Sequence, residues 1–278
     1  MTAELASAIL EQVINGTMMG AVYVLVALGM MLIYGVMHVV NFAHGVLFMA
    51  GAYVAVYLFE RVTGNYIAAT LGAMAVLAAV GVLIERQVFR PLTGNTRNQV
   101  IASLGLVLVI ENAVVALWGP NALQVRLAST EQLVSFGDLR FPVHQLLIIG
   151  VTGVAVLALG LFLAWSRFGV AMRATAQSRE GALVVGIPVE RVYWASFAIG
   201  TALAALGGAL IAPLFLAFPT MGDAPLVKGL AGILLGGMGS IPGAVIGGIT
   251  IGIAEALATL IAPTDYKDSV AFAAMVIV

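Results

Sequence analysis

The chain has 278 residues, of which 62% are apolar and 9% charged, with a formal net charge of −1 and a mean hydropathy of +1.10. Soluble domains run at roughly 45–50% apolar and 25% charged residues, so this composition excludes a water-soluble globule and marks an integral membrane protein. The small net charge and the lack of a basic run give no reason to expect nucleic acid, and the absence of cysteine removes disulfides, thiol catalysis and Cys-ligated metal.

A bilayer core of about 30 Å takes ~20 apolar helical residues per crossing, which leaves room for about eight or nine spans. The apolar runs are long and lack period-2 alternation, so they favour helices over a barrel. The expected fold is all-α: one polytopic transmembrane bundle over 1–278, of about eight spans plus a short or re-entrant glycine-rich segment. The first span is 8–33; the first 30 residues carry Glu4 and Glu11 and no Lys or Arg, unlike the basic start of a cleaved signal peptide, and none comes before Arg61. Spans 44–60 and 66–85 come next. Between the first two, near their inner ends, lie His38, Asn41 and His44. Asn41 and His44 are three apart and can share a face, but two histidines without a carboxylate nearby make a poor metal site. Hydrogen bonding at a helix break, which Gly45 permits, is the main reading, with gating as a second.

Arg86, Arg90 and Arg97 follow in a short loop, then span 99–118, in which Glu111 and Asn112 place a costly carboxylate at bilayer depth. A loop over 119–142, edged by Pro120 and Pro142, leads to span 143–165. The loop 166–191 carries Arg167, Arg173, Arg179 and Arg191 and precedes span 192–217. Short arginine-rich loops stay in the cytoplasm, so both arginine loops face inward and the N-terminus lies outside. Trp118, Tyr193 and Trp194, at span ends, read as interfacial anchors.

Nine glycines fall between Gly229 and Gly252, and Pro242 interrupts them. Their four-residue spacing, as in 232/236 and 239/243, lets helices approach closely. The expectation is a short or re-entrant segment over 226–240, with Gly236, Gly237 and Gly239 as pathway candidates, and a span over 242–262 carrying Glu255. Glu255 reads either as a pathway carboxylate or as a hydrogen-bonded one near a helix end. The closing run from Ser269 has nine residues from Val270, too few to cross a bilayer, which suggests that the chain stops short of a natural C-terminus.

Within 166–191 the local grammar is that of a displayed elbow. Ser178 can cap a short helix over Arg179, Glu180, Gly181, Ala182 and Leu183, Gly186 can end it with positive φ, and Pro188 suits the first turn of the next helix. Arg173, Arg179 and Glu180 surround a small-residue surface that another backbone can approach. The plainer alternative is a cytoplasmic loop whose arginines only set topology.

The spacing Glu180-Gly181-Ala182 to Gly186 resembles the E-A-A-x-x-x-G loop of ABC importer permeases, with glycine in place of the first alanine. The stretches 29–53, 100–121, 179–210 and 230–257, and above all N-x-A-H-G at Asn41–Gly45 and G-G-M-G-S-I-P-G at Gly236–Gly243, are similar to branched-chain amino-acid permeases of the LivH type. The resemblance implies a permease subunit of the bacterial cytoplasmic membrane without cofactor or catalytic residue. It also implies two cytoplasmic ATPase subunits, a second permease chain of the LivM type, a periplasmic solute-binding protein, and a branched-chain or related neutral amino acid as solute. Family members end in an Arg-Pro-x-Gly tail that is not found here. No G-x-x-x-x-G-K-[ST] frame surrounds either lysine, Lys228 or Lys267, which fits a chain that leaves ATP to others. A permease for urea or short amides, and an ion-coupled transporter using Glu111, are the alternatives.

Overall fold

The structure, a computed structural model, describes residues 2–136, 139–237, 239–261 and 269–277. Twelve α-helices and one β-hairpin occur among them. They are α1 (Thr2–Met37), α2 (His44–Leu58), α3 (Tyr66–Ile84), α4 (Thr96–Trp118), α5 (Ala128–Glu131), β1 (Leu133–Phe136), β2 (Leu139–Pro142), α6 (Val143–Trp165), α7 (Arg167–Gln177), α8 (Arg179–Val184), α9 (Val189–Ile211), α10 (Asp223–Gly236), α11 (Ile241–Ala258) and α12 (Ser269–Ile277). Seven helices are long and apolar enough to cross a membrane: α1, α2, α3, α4, α6, α9 and α11. The sequence expectation of about eight counted the closing run, which forms only the nine-residue α12. Lys267, residue 262 of the predicted 242–262 span, and Val278 lie outside the described residues.

Water drives little helix association in lipid, so small residues and interhelical hydrogen bonds have to hold the bundle together. The two central helices show this. α1 and α9 are 83% and 78% buried across their most apolar stretches, whereas α4 and α6 are 11% and 17% buried and present Leu108, Val109, Val154 and Leu157 outward. A Cβ on Gly29 would press against the Gly200 carbonyl at 2.5 Å, and one on Gly208 would overlap the Phe48 carbonyl. α1, α2 and α9 therefore meet backbone to backbone. Thr201 adds hydrogen bonds of 2.8 Å to the carbonyls of both Leu77 and Phe197, tying α3 to α9.

α10 and α11 form a hairpin against α1. Gly237 and Gly239, at φ 90° and 96°, make its turn, and Ser240 caps α11 through the Gly243 N–H at 3.2 Å. Gly236 faces Gly243, Gly232 faces Gly247, and Gly252 faces Gly16 and Gly20 so closely that a Cβ would collide with the opposing backbone. α10 is thus the short segment expected for 226–240, starting three and ending four residues earlier.

At the end of the bundle away from the arginine loops, the described residues 119–136 and 139–142 form a cap where the sequence reading expected plain loop. Leu123 and Ala217 form a β-bridge, β1 and β2 pair antiparallel, and the His144 ring contacts Ser129 Oγ at 3.1 Å and the Leu210 carbonyl at 2.8 Å. His144 is buried and pins the cap to the end of α9.

Candidate translocation core and coupling loop

Six residues separate the end of α1 at Met37 from the start of α2. The His44 ring packs against Gly29, eight residues before the end of α1, and Gly29 in turn touches Gly200 midway along α9. At 1.5 Å per residue this places the start of α2 about 12 Å inside the bundle, so the 38–43 segment re-enters and His44 does not lie at the inner end as expected. His38, at φ 57°, begins the reversal. Asn41 Oδ1 accepts the Ala43 N–H at 3.1 Å and the Asn41 carbonyl accepts the His44 N–H at 3.2 Å, giving a turn that starts α2 inside the bundle. Gly45 lies directly on Gly222, the residue preceding α10, so the N-termini of two interrupted helices abut inside the protein. Irregular backbone at this depth is tolerated only where protein or a cavity surrounds it.

Next to this junction an apolar cavity of about 230 Å³ opens between α1, the first turns of α2 and α10, and the 211–221 segment. Its wall includes Met19, Val22, Phe48, Phe215 and Met221, and Tyr23 and Lys228 supply its polar groups. Lys228 Nζ lies 3.0 Å from Glu255 Oε1 and 3.2 Å from Tyr23 Oη, and Tyr23 Oη donates to Glu255 Oε2 at 2.9 Å. Three helices, α1, α10 and α11, contribute one member each, and all three residues are buried. A more polar cleft of about 170 Å³, lined by Gln12, Asn15, Thr259 and Glu255, reaches the same triad from the other side.

Of the predicted pathway residues, the structure groups Asn41, His44 and Gly45 at the helix break and puts Glu255 in the triad. Glu111 is half-buried on α4, within electrostatic reach of Asp223 at the start of α10. Asn112 faces outward and bonds its own helix at the Leu108 carbonyl, 2.7 Å. Gly236, Gly237 and Gly239 serve the α10–α11 turn and its packing. Sequence reading missed Tyr23 and Lys228. Their signal was available: a lone lysine in an apolar segment needs a counter-ion, and Glu255 was a carboxylate without an obvious partner.

At the arginine end, the elbow takes the form its residues spell out. Ser178 Oγ accepts the Gly181 N–H at 3.0 Å and caps α8. Gly186 has φ 78°, its N–H bonds the Leu183 carbonyl at 3.0 Å, and the Ile187 N–H bonds the Ala182 carbonyl at 2.9 Å, the paired bonds of a Schellman ending. Ala182 is buried, while Arg179, Glu180 and Gly181 are exposed, as are Leu183, Val184 and Val185 at 52%, 87% and 72%. Arg173 instead turns back to the Leu163 carbonyl of α6. Tyr193 is buried at the base of α9, contrary to its expected place as an interfacial anchor, because the elbow and the 90–99 loop cover it.

Arg90 ties the helix that follows the elbow to the rest of the bundle. Its guanidinium forks onto Glu85 at 3.3 Å through Nε and Nη2, and its Nη1 reaches Glu190 at 3.0 Å. Glu85 is fully buried at the end of α3, and Glu190 stands two residues after Pro188. Arg90 thus links the end of α3 to the first turn of α9, just beyond the elbow.

A bundle of apolar helices with interrupted elements meeting inside it, a desolvated ion pair and a cavity beside that pair has the build of a multi-pass membrane transport permease. Residues 12–278 match the family described as branched-chain amino acid transport system / permease component. The chain is 35% identical to the high-affinity branched-chain amino acid transport system permease protein LivH of Escherichia coli, over 97% of this chain and 92% of that protein. BraD of Pseudomonas aeruginosa, with the same descriptive name, is 32% identical over the same shares, and a probable LivH of Methanocaldococcus jannaschii is 31% identical over 85% and 76%. Among solved structures, PsaBC from Streptococcus pneumoniae in complex with Fab aligns over 98% of this chain and 90% of that one, at 17% identity and a TM-score of 0.46. The chain belongs to the branched-chain amino-acid permease family.

Proposed function

We propose that this chain is the transmembrane subunit of an ATP-driven importer for branched-chain or related neutral amino acids in a bacterial cytoplasmic membrane, and that the Ser178–Pro188 elbow is where separate ATPase subunits drive it. The observation that carries the reading is the elbow itself: a capped short helix with exposed Leu183, Val184 and Val185 on a loop otherwise marked by arginines. Exposed aliphatic side chains on a rigid, small-residue knob suit insertion into a groove of another protein. The names of the relatives support the solute class.

In this reading the arginine loops face the cytoplasm and the N-terminus lies outside. A second permease chain, of the LivM type, completes the pathway, and a periplasmic binding protein delivers solute to the capped end. The chain itself hydrolyses no nucleotide. ATP closure of the ATPase pair moves the elbow, and Arg90 carries that movement to α3 through Glu85. Coupling of this kind requires two bundle states that differ in affinity for the partners.

The test is reconstitution of the complex in proteoliposomes. Glu180→Arg is expected to abolish co-purification of the ATPase subunits and ATP-driven leucine uptake while membrane insertion is retained. Wild-type co-purification and uptake in that variant overturn the coupling role, and uptake by the chain alone overturns the importer reading.

A further inference from the structure

The Tyr23–Lys228–Glu255 triad calls for an explanation that packing does not supply. An ammonium and a carboxylate withdrawn from water lose hydration that their mutual attraction barely offsets, and apolar residues of similar volume often replace such pairs without loss. Inside a membrane the same pair is more conspicuous still, and ionisable groups there mark solute paths. Its position is specific. Tyr23 and Lys228 line the apolar cavity of about 230 Å³, and Tyr23, Lys228 and Glu255 line the polar cleft of about 170 Å³ beyond it. The pair therefore stands between an apolar chamber and a more polar one.

From this arrangement, and resting on the importer reading above, we infer that the triad is the head-group site for a zwitterionic α-amino acid whose aliphatic side chain occupies the cavity walled by Met19, Val22, Phe48, Phe215 and Met221. The solute carboxylate takes Lys228 and the solute ammonium takes Glu255, so the resident ion pair opens and closes again around a second ion pair. Tyr23 Oη, which accepts from Lys228 and donates to Glu255 at rest, remains between the two and holds them in register. No covalent bond or proton transfer is involved, and the incoming zwitterion adds no net charge to the site.

Charge neutrality gives the site its selectivity. A carboxylic acid lacking the ammonium offers Glu255 nothing in exchange for the Lys228 it draws away, and an amine lacking the carboxylate offers Lys228 nothing in exchange for Glu255. Either is penalised by the same desolvation that the resident pair avoids. The aliphatic chamber, of about 230 Å³, has room for a small branched side chain.

The experiment uses the whole importer with its ATPase and binding-protein partners. ATP-driven leucine uptake by the wild-type complex is measured first, and its absence overturns the importer reading whatever the triad does. Given uptake, the ion-pair-free variant K228M/E255L and the reversed pair K228E/E255K are compared with wild type as assembled complexes. Uptake at least tenfold lower in both is expected, and uptake within twofold of wild type in either assembled variant overturns the site. The wild-type complex supplies an arm that needs no variant. L-leucine is expected to raise its unfolding temperature, whereas 4-methylpentanoate and 3-methylbutylamine, which share the carbon skeleton but carry one charge each, are not. An equal shift with either analogue, or no shift with leucine, overturns the proposal.

Discussion

Replacement of Gly186 by alanine tests the elbow most directly, because the residue has open space around it and its only demand is conformational. A Cβ there meets nothing within 4 Å, yet φ is 78°. Left-handed backbone costs a non-glycine residue ~1–2 kcal/mol. The elbow is exposed, so the free loop can relieve that strain by unwinding the Schellman turn and surrendering the Gly186–Leu183 and Ile187–Ala182 hydrogen bonds. A partner that recognises the wound elbow then has to restore it, and at 1.4 kcal/mol per tenfold the ATPase affinity falls by roughly five- to thirty-fold. Asparagine, which tolerates this region better than alanine, should recover part of the loss. Affinity of detergent-solubilised permease for the ATPase subunits, by surface-immobilised titration, gives the answer. Alanine within twofold of wild type, or asparagine no better than alanine, refutes the idea that the wound elbow is what docks.

Other consequences follow from packing and charge. Gly208→Ala sets a Cβ on the Phe48 carbonyl, backbone that cannot step aside, and should lower stability by about 1–3 kcal/mol, the usual penalty for overpacking. Gly105→Ala, with nothing within 4 Å, should instead be neutral or gain up to about 1 kcal/mol; thermal unfolding of the two variants side by side checks the contrast. Arg90→Ala strands the buried Glu85 carboxylate and should cost about 1–3 kcal/mol. Adding Glu85→Gln should restore much of the unfolding temperature but not the coupled ATP hydrolysis. His144→Ala removes the link between the cap and α9, and limited proteolysis of spheroplasts should then cleave within 119–142 several times faster than in wild type. Cleavage from the outside also tests the orientation of the bundle.

The long apolar helices were legible in the sequence because bilayer thickness dictates their length: 143–165 coincides with α6, and 44–60 and 66–85 differ from α2 and α3 by one or two residues at their ends. The elbow was legible for another reason, since Ser178, Gly186 and Pro188 act through their own backbone and need no distant partner. What stayed hidden depends on three-dimensional proximity. Tyr23, Lys228 and Glu255 are 205 and 27 residues apart in succession, and hydropathy has no means to pair them. The re-entry at 38–43 was half visible: Asn41 and Gly45 suggested a break, but only the contacts of His44 with Gly29 and of Gly45 with Gly222 set its depth. The 119–142 cap escaped because short strands and a pinning histidine carry almost no periodic signal.

The glycine seams joining α10, α11 and α1 also bear on how such a machine can flex. Where main chain rests on main chain there are no rotamers to exchange and no slack to take up, so relative sliding of these three helices would open empty space at every glycine. The trio is in effect a single casting, and alternating access has to be accommodated at its joints: the irregular 212–222 connection and the seam where Gly222 meets Gly45.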